Sequence, residues 1–206
     1  MFDVVNATSV VRQRSRPTVE NTRLVPYIPN THYASIMEER EPAAPPAVVT
    51  RVVARLTELG WRGAATPISQ AREIVSNSPG QLMVTSHLFH SNADHFFLVL
   101  LPEGHDADPI QLNGVLGESG LAEMTPESVE ERTGHVAGGI APVATETRSH
   151  VVLDISLSRS TTMWVPAGDP NWVFPSNYAQ LLRLTAGTAA EVGDLPTDQD
   201  RTPPAS

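Results

Sequence analysis

Residues 133–144 form the stretch best suited to present its main chain to a ligand. They read Thr-Gly-His-Val-Ala-Gly-Gly-Ile-Ala-Pro-Val-Ala. Glycine tolerates positive φ and lets another molecule approach the backbone, so Gly138 and Gly139 are expected to leave amide groups free, and Pro142 fixes the exit. Because Gly and Pro are also the usual residues of a tight turn, the loop alone does not separate a binding site from a turn.

A second group of residues able to do chemistry lies in the run 82–90, which includes Thr85, His87 and His90. Because strand side chains alternate, Thr85 and His87 should share one face while His90 points to the other. His95 lies across the following turn, so we do not expect these histidines to form a metal site. His87 could donate a hydrogen bond or act as a weak base near neutral pH; a partly buried, hydrogen-bonded histidine is the competing interpretation.

Composition excludes several other kinds of chemistry. The 206 residues contain no cysteine, which excludes disulfides, thiolate zinc sites and cysteine nucleophiles, and all 14 basic residues are arginine. The polar run 156–162 lacks the signature of a nucleophile elbow, so we reject a serine hydrolase. No cofactor is predicted. The net charge of -9 argues against tight non-specific binding to a phosphate backbone, so any nucleic-acid contact should be local.

The ends of the chain differ in composition from its middle. Residues 1–46 and 196–206 are rich in proline and polar residues and are expected to be flexible or disordered tails, the first with a possible protein partner. Residues 47–195 are expected to form one domain. The first residues do not resemble a signal peptide and no long apolar run occurs, so we expect a cytoplasmic protein without a membrane role.

Hydrophobic periodicity within the domain predicts both helices and strands. Helices are expected at 48–59, closed by Gly60, and after Thr66 and Pro67 to about residue 75. Further helices are expected at 110–116, at 125–132 and after a Ser176 cap. Strands are expected at 82–90 and 96–101, joined as a hairpin, and at 151–155, 163–166 and 172–174. Trp164, Trp172 and Phe174 alternate along strands and are expected in the core. This order suggests an α+β or mixed α/β fold.

Several segments together resemble one known family. They are residues 133–144, Val-Val-Leu-Asp at 151–154, Met-Trp-Val-Pro-Ala-Gly-Asp-Pro-Asn-Trp-Val-Phe at 163–174 and Leu-Leu-Arg-Leu-Thr at 181–185. Met-Val-Thr-Ser-His-Leu-Phe at 83–89 lies where the family has a strand of the type Val-Lys-Ser-Leu-Leu-Phe. Over residues 48–192 the sequence is therefore similar to the YbaK/EbsC family. That family comprises aminoacyl-tRNA deacylases and the editing domain inserted in some prolyl-tRNA synthetases.

The resemblance implies a mixed β-barrel flanked by helices, with a pocket for the aminoacyl-adenosine end of a mischarged tRNA. A family loop of the type Gly-X-X-Pro-Gly presents backbone groups to the aminoacyl end, and its last glycine falls at Val143 or Ala144. Asp154 matches an acidic position that could orient a ligand or be an exposed strand end, and Gly168 lies in a family turn near the pocket. The substrate-binding residues implied are Gly138, Gly139, Ile140, Ala141, Pro142, Asp154 and Gly168.

The sequence departs from the family at one position expected to touch the substrate. The resemblance places Thr85 where the family has a strand lysine, and no lysine occurs anywhere in the chain. Our hypothesis is that Thr85 and His87 form a modified catalytic site. The protein would then hydrolyse a mischarged aminoacyl-tRNA or a related aminoacyl ester, with the 3′ end of the tRNA as its partner. Alternatively, a relative without the lysine binds a small aminoacyl or nucleotide ligand, or a protein, without hydrolysis.

Overall fold

The computed structural model of the protein describes residues 44–193. Most of the predicted tails, and the suggested partner site in the first tail, lie outside this range. The helices are α1 (Ala47–Glu58), α2 (Ile68–Asn77), α3 (Pro109–Leu116), α4 (Pro126–Thr133) and α5 (Tyr178–Thr185), with a 3-10 helix at Ile155–Arg159. The strands are β1 (Thr66–Pro67), β2 (Gln81–His90), β3 (Phe96–Pro102), β4 (Ala122–Glu123), β5 (His150–Asp154), β6 (Thr162–Pro166), β7 (Trp172–Ser176) and β8 (Thr188–Ala190).

The eight strands form one mixed sheet in the order β1-β7-β6-β2-β3-β5-β8, with β4 paired to β2 beside this path. β2 and β3 form the predicted hairpin, whereas β2 runs parallel to β6 and β3 runs parallel to β5. The mixed α/β class is thus confirmed. Over the described residues β1 and β8 are not paired with each other, so the sheet is open where a closed barrel was expected. Within the same residues, no helix is both long and apolar enough to cross a membrane.

The ends of the helices follow the local chemistry of the sequence. Gly60, at a φ of 88°, ends α1: its N–H donates to Thr57 and the next N–H, of Trp61, donates to Leu56. This is the Schellman arrangement expected of a C-terminal glycine. The last helix starts one residue later than predicted. Its cap is Asn177, whose side chain accepts from Gln180 N–H, because Ser176 is still paired in β7.

The long strand β2 separates two hydrophobic clusters. Its even-numbered residues Val84 and Leu88 belong to the main core, together with α1 and residues of the loop before β5. The odd-numbered Phe89 belongs to a second cluster formed with β3, α3 and β8. Trp164, Trp172 and Phe174 are all buried, as predicted. The two faces of β2 therefore pack against different clusters. Because strand side chains alternate, Thr85 and His87 lie on the face of Phe89, and Ser86 lies on the face of Val84 and Leu88.

Candidate functional site

The middle of β2 has one edge without a neighbouring strand. On the edge opposite β3, residues 81–83 pair with β6 and residues 89–90 pair with β4. Within the described part of the chain, no strand pairs with residues 84–87 on this edge. We call this opening the β2 gap. Thr85, Ser86 and His87 lie in it, between the segments of β2 that pair with β6 and with β4.

His87 in the β2 gap is paired with Glu123 at the end of β4. The Nδ1 atom of His87 lies 2.7 Å from Oε1 of Glu123, and the side chains are 16% and 55% exposed. An ionised carboxylate can only accept, so Nδ1 carries the proton and donates it to Glu123. In the neutral ring Nε2 is then an acceptor, and it has no partner among residues 44–193. This is the arrangement of an oriented base.

Two hydroxyls in the β2 gap lack hydrogen-bond partners. The oxygens of Thr85 and Ser86 are buried and have no partner among the described residues. Neighbouring strand residues face opposite ways, so Thr85 and His87 lie on one face and Ser86 on the other. A buried hydroxyl without a partner costs about 1–3 kcal/mol, and a ligand that supplies the missing hydrogen bond offsets that cost.

The loop at 134–144, here called the glycine loop, is folded around His135. His135 is 1% exposed; its Nδ1 accepts from Ala141 N–H at 3.2 Å and its Nε2 donates to the carbonyl of Ala144 at 3.1 Å. Burial, helped by the positive charge of Arg51, lowers the pKa of His135 to about 4. The ring is therefore neutral at pH 7, and both of its nitrogens are used to hold the loop together.

The glycine loop is docked on the turn between β6 and β7. Gly168 N–H donates to Gly139 O at 2.7 Å, and Val136 N–H donates to Gly168 O at 3.0 Å. A Cβ on Gly139 would lie 2.2 Å from the carbonyl carbon of Asp169, so only glycine fits there. The expectation of two free amides is half wrong, because Gly139 N–H already donates to Val136 O. Gly138 is exposed and its N–H has no acceptor within residues 44–193.

The end of the glycine loop has a backbone conformation that favours glycine. Ala144 has a φ of 61°, in the left-handed region. Val143 directly follows Pro142, as the last glycine of a Gly-X-X-Pro-Gly loop would, whereas Ala144 has the conformation of a glycine. Ile140, Ala141 and Pro142 are buried. They support the loop from within instead of presenting side chains to a ligand.

Asp154 is buried and its carboxylate is engaged by the main chain. Its oxygens accept from the N–H groups of Ser156, Val192 and Gly193. Burial alone would raise the pKa of Asp154, but hydrogen bonds from Ser156, Val192 and Gly193 outweigh that effect and lower it. The carboxylate caps the 3-10 helix and anchors the chain beyond β8. We therefore leave Asp154 out of the proposed site.

A second pair of histidine and glutamate fixes the segment that carries Glu123. His95 Nδ1 lies 2.8 Å from Oε1 of Glu118, and Asn92 N–H donates to Ser119 O at 3.1 Å. The hydrogen bond from His95 is the main cause that lowers the pKa of Glu118. These contacts hold the chain between α3 and β4 against the hairpin turn. No group of three or more metal-binding side chains is found among residues 44–193.

The structure brings only some of the predicted residues together. In the parallel register Met83 lies beside Trp164, so two residues further on Thr85 is level with Pro166, just before the turn that holds the glycine loop. The loop and β4 thus flank the β2 gap, and α4 connects them. However, Thr85 and His87 point to the face opposite Ile140 and Ala141, which pack in the main core with Val84 and Leu88.

Sequence reasoning missed Glu123 and Ser86. Ser86 was assigned to the face away from the site, and in the structure its buried hydroxyl oxygen has no hydrogen-bond partner among the described residues. Glu123 lies in a strand of two residues, too short to give an alternating pattern. The only signal available was an acidic residue between two helices. Nothing in that signal connects it to a histidine 36 positions earlier.

Comparisons with known proteins identify the family and the fold. A model of the aminoacyl-tRNA editing domain matches residues 63–184. The fold is similar to that of a proposed trans-editing enzyme for prolyl tRNA synthetase, with a TM-score of 0.66, 25% identity, and coverage of 74% of this chain and 100% of the other. It is also similar to a scaffold protein used in epitope grafting by computational design, with a TM-score of 0.65, 23% identity, and coverage of 73% and 99%. No curated protein sequence matches significantly.

The family match spans β2, the glycine loop and the turn at Gly168, so it includes both sides of the β2 gap. The predicted resemblance is confirmed: this chain belongs to the aminoacyl-tRNA editing domain family.

Proposed function

We propose that the protein hydrolyses the ester bond of mischarged aminoacyl-tRNA, acting in trans, with the β2 gap as its catalytic site. The observation that carries this proposal is the family match over residues 63–184, which contains the gap and the loop that flanks it. The similarity to a proposed trans-editing enzyme for prolyl tRNA synthetase supports action on a separate tRNA. Because the chain has no lysine, a different residue must take the role of the family's strand lysine.

His87 is the group proposed to act on the attacking water. Its unpartnered Nε2 takes a proton from water, the hydroxide attacks the ester carbonyl carbon, and the bond from that carbon to the ribose oxygen breaks. The imidazolium returns its proton to the leaving ribose oxygen, so that amino acid and tRNA are released and His87 is neutral again. Glu123 is a positioning residue: it accepts from Nδ1, fixes the tautomer and stabilises the transient imidazolium.

The remaining polar groups bind the substrate in this proposal. The exposed N–H of Gly138 is the free main-chain donor of the glycine loop, and in this proposal it donates to the 3′ end of the tRNA as a preorganised dipole. Thr85 supplies its unpartnered hydroxyl on the same face as His87. Gly139, Gly168 and Pro142 hold the loop in place without touching the substrate.

The first experiment is a deacylation assay on a panel of mischarged tRNAs, including Ala, Cys and Ser on tRNA(Pro). We expect the wild type to release the amino acid from at least one of them. Activity found only in Thr85→Lys would show that the fold retains the family pocket but the natural protein does not hydrolyse these substrates. No release by either form would contradict the proposed activity.

The role of Glu123 is tested with three variants and two measurements. Glu123→Ala should lower kcat roughly tenfold or more with little change in KM, and Glu123→Asp should recover part of the loss. Glu127→Ala, an exposed acid in the first turn of α4, is the matched control. Imidazole nitrogen NMR should show the proton on Nδ1 of His87 in the wild type and a mixture of tautomers in Glu123→Ala. An unchanged tautomer would contradict the positioning role.

A further inference from the structure

Arginines are concentrated on one part of an otherwise acidic molecule. Residues 44–193 contain eight arginines and fifteen acidic residues. Four of the arginines lie near one another. Arg51 and Arg55 are on α1, Arg62 follows that helix, and Arg183 of α5 contacts Leu59 at its end. We call these four the arginine row. All four side chains are exposed.

Main-chain carbonyls fix three members of the arginine row. Arg51 donates to Gly134 O at 2.9 Å, Arg62 donates to Thr57 O and Trp61 O at 3.2 and 3.1 Å, and Arg183 donates to Leu59 O at 3.2 Å. Each of these contacts uses one guanidinium nitrogen, and a guanidinium has five N–H donors. The groups are therefore held in position while donors remain for a ligand.

Two acidic side chains lie within the row. Glu58 pairs with Arg55 at 2.8 Å. A Cβ placed on Gly134 would lie close to both Arg51 and Glu146, so Glu146 also lies near the start of the row. The local charge is still positive, with four arginines against two acids, whereas the other described residues have four arginines against thirteen acids. An anionic partner is therefore attracted to this surface and repelled elsewhere.

The position of the row indicates which anion it fits. Arg51 contacts Gly134, where α4 ends and the glycine loop begins. From there the row follows α1 to its last carbonyls, a rise of about 12 Å from residue 51 to residue 59. Arginines spread over this length fit successive phosphates of a nucleic acid and not one small anion, and the first of them lies at the start of the glycine loop.

We propose that the arginine row binds phosphates of the tRNA acceptor end, outside the site that holds the aminoacyl group. This inference rests on the proposed function, because it takes the partner to be a tRNA. It locates the nucleic-acid contact on α1, the residues that follow it and the adjoining end of α5, and it explains how a chain of net charge -9 holds a polyanion. Arginine suits this task because its planar fork pairs with phosphate oxygens.

The test uses a triple variant with Arg55, Arg62 and Arg183 each changed to Gln, a second triple variant with Lys, and Arg72→Gln as the matched control. Arg72 is an exposed arginine on α2 paired with Glu103, outside the row. Arg51 is left intact because it holds the glycine loop. Affinity for uncharged tRNA is measured over a range of salt concentrations, and KM is measured for aminoacyl-tRNA and for aminoacyl-adenosine.

We expect the Gln triple variant to bind tRNA at least about tenfold more weakly, with the salt slope reduced by about two to three. Its kcat, and its KM for aminoacyl-adenosine, should match the wild type, which also shows that it folds. The Lys triple variant should keep most of the affinity and of the salt slope. Unchanged affinity and slope in the Gln variant, or an equal loss in Arg72→Gln, would overturn the proposal.

The two proposals fail in different ways. If the wild type hydrolyses no aminoacyl ester, the proposed function fails, while the salt dependence of binding to uncharged tRNA still decides the role of the arginine row. If hydrolysis is intact and the row variants bind tRNA normally, only the inference about the row is wrong.

Discussion

The glycine loop and the β2 gap differ in how completely their polar groups are paired. In the loop, His135 uses both ring nitrogens within the protein, and Gly139 uses both its N–H and its carbonyl. In the gap, His87 has one ring nitrogen oriented by Glu123 and one without a partner, and two hydroxyls are unpaired. The loop is therefore mainly a support, with the N–H of Gly138 left free, and the gap holds the side chains available for chemistry.

This difference corrects a natural reading of the sequence. A glycine-rich loop suggests exposed amides, yet most of its glycine content serves close packing against the turn at Asp169. An apolar strand sequence suggests an element that is paired on both edges, yet one edge of β2 has no neighbouring strand at residues 84–87. If the comparison is right, changes in the loop should alter stability and changes in the gap should alter activity.

The largest effect is expected from Gly139→Val. Its Cβ would lie 2.2 Å from the Asp169 carbonyl carbon and 2.4 Å from Pro170 N, and neither backbone atom can move without displacing the turn. We expect a loss of at least about 4 kcal/mol in the free energy of unfolding, or no folded protein. Urea denaturation of the variant and the wild type measures this loss of unfolding free energy.

The control for that substitution is Gly138→Ala. Its φ of 79° makes the alanine strained, but the nearest atom to a new Cβ is Pro170 Cβ at 4.0 Å. The expected cost is about 1–2 kcal/mol. Equal losses for the two variants would show that packing against the turn does not distinguish the two glycines.

The next effect is the pH dependence that His135 gives the loop. Its pKa is about 4 in the folded protein and near 6.5 when unfolded, so between these values the unfolded chain binds more protons. Stability is full above pH 6.5 and falls as the pH drops towards 4, by about 3 kcal/mol in all.

Unfolding free energies of the wild type and His135→Gln, measured from pH 7 to pH 4, isolate this contribution. We expect the variant to be less stable at pH 7 and to lose much less stability on acidification. The pKa values of Asp154 and Glu118 are lowered in the folded protein, so their contributions are present above the ordinary carboxyl range and fall away below it. Parallel curves for the two proteins would exclude His135 as the source.

A smaller effect, of opposite sign, is expected at the end of the loop. Ala144→Gly replaces a residue at a φ of 61° with one that adopts this conformation without strain. Even after the greater entropy loss of glycine, we expect a gain of about 0.5–1 kcal/mol. The melting temperatures of the variant and the wild type measure this gain. A lower melting temperature in the variant would show that Ala144 is not strained.

The smallest effect on stability is expected in the gap itself. Thr85→Val replaces a buried, unpartnered hydroxyl with a methyl group of similar size. Stability should stay the same or rise by less than about 1 kcal/mol, because no hydrogen bond is lost. KM for aminoacyl-adenosine should rise several-fold if the hydroxyl binds substrate. Ser86→Ala, on the opposite face, serves as the comparison, and an unchanged KM in Thr85→Val would remove Thr85 from the site.

Sequence reasoning was strongest where the signals are local. The glycine that ends α1, the threonine cap of α4 and the hairpin of β2 and β3 depend on a few neighbouring residues, and all are found in the structure. The pairing of His87 with Glu123 depends on β4 lying beside β2. That contact arises from tertiary packing of a two-residue strand, which has no pattern of its own.

The most direct test of the central claim is the single-turnover deacylation rate of His87→Gln, measured together with its free energy of unfolding. We expect a rate at least about 100-fold below that of the wild type. We also expect a free energy of unfolding within about 1 kcal/mol of the wild-type value, because the side chain lies at an open edge and forms one partly exposed pair. A His87→Gln variant that hydrolyses mischarged tRNA at the wild-type rate would contradict the catalytic role of His87.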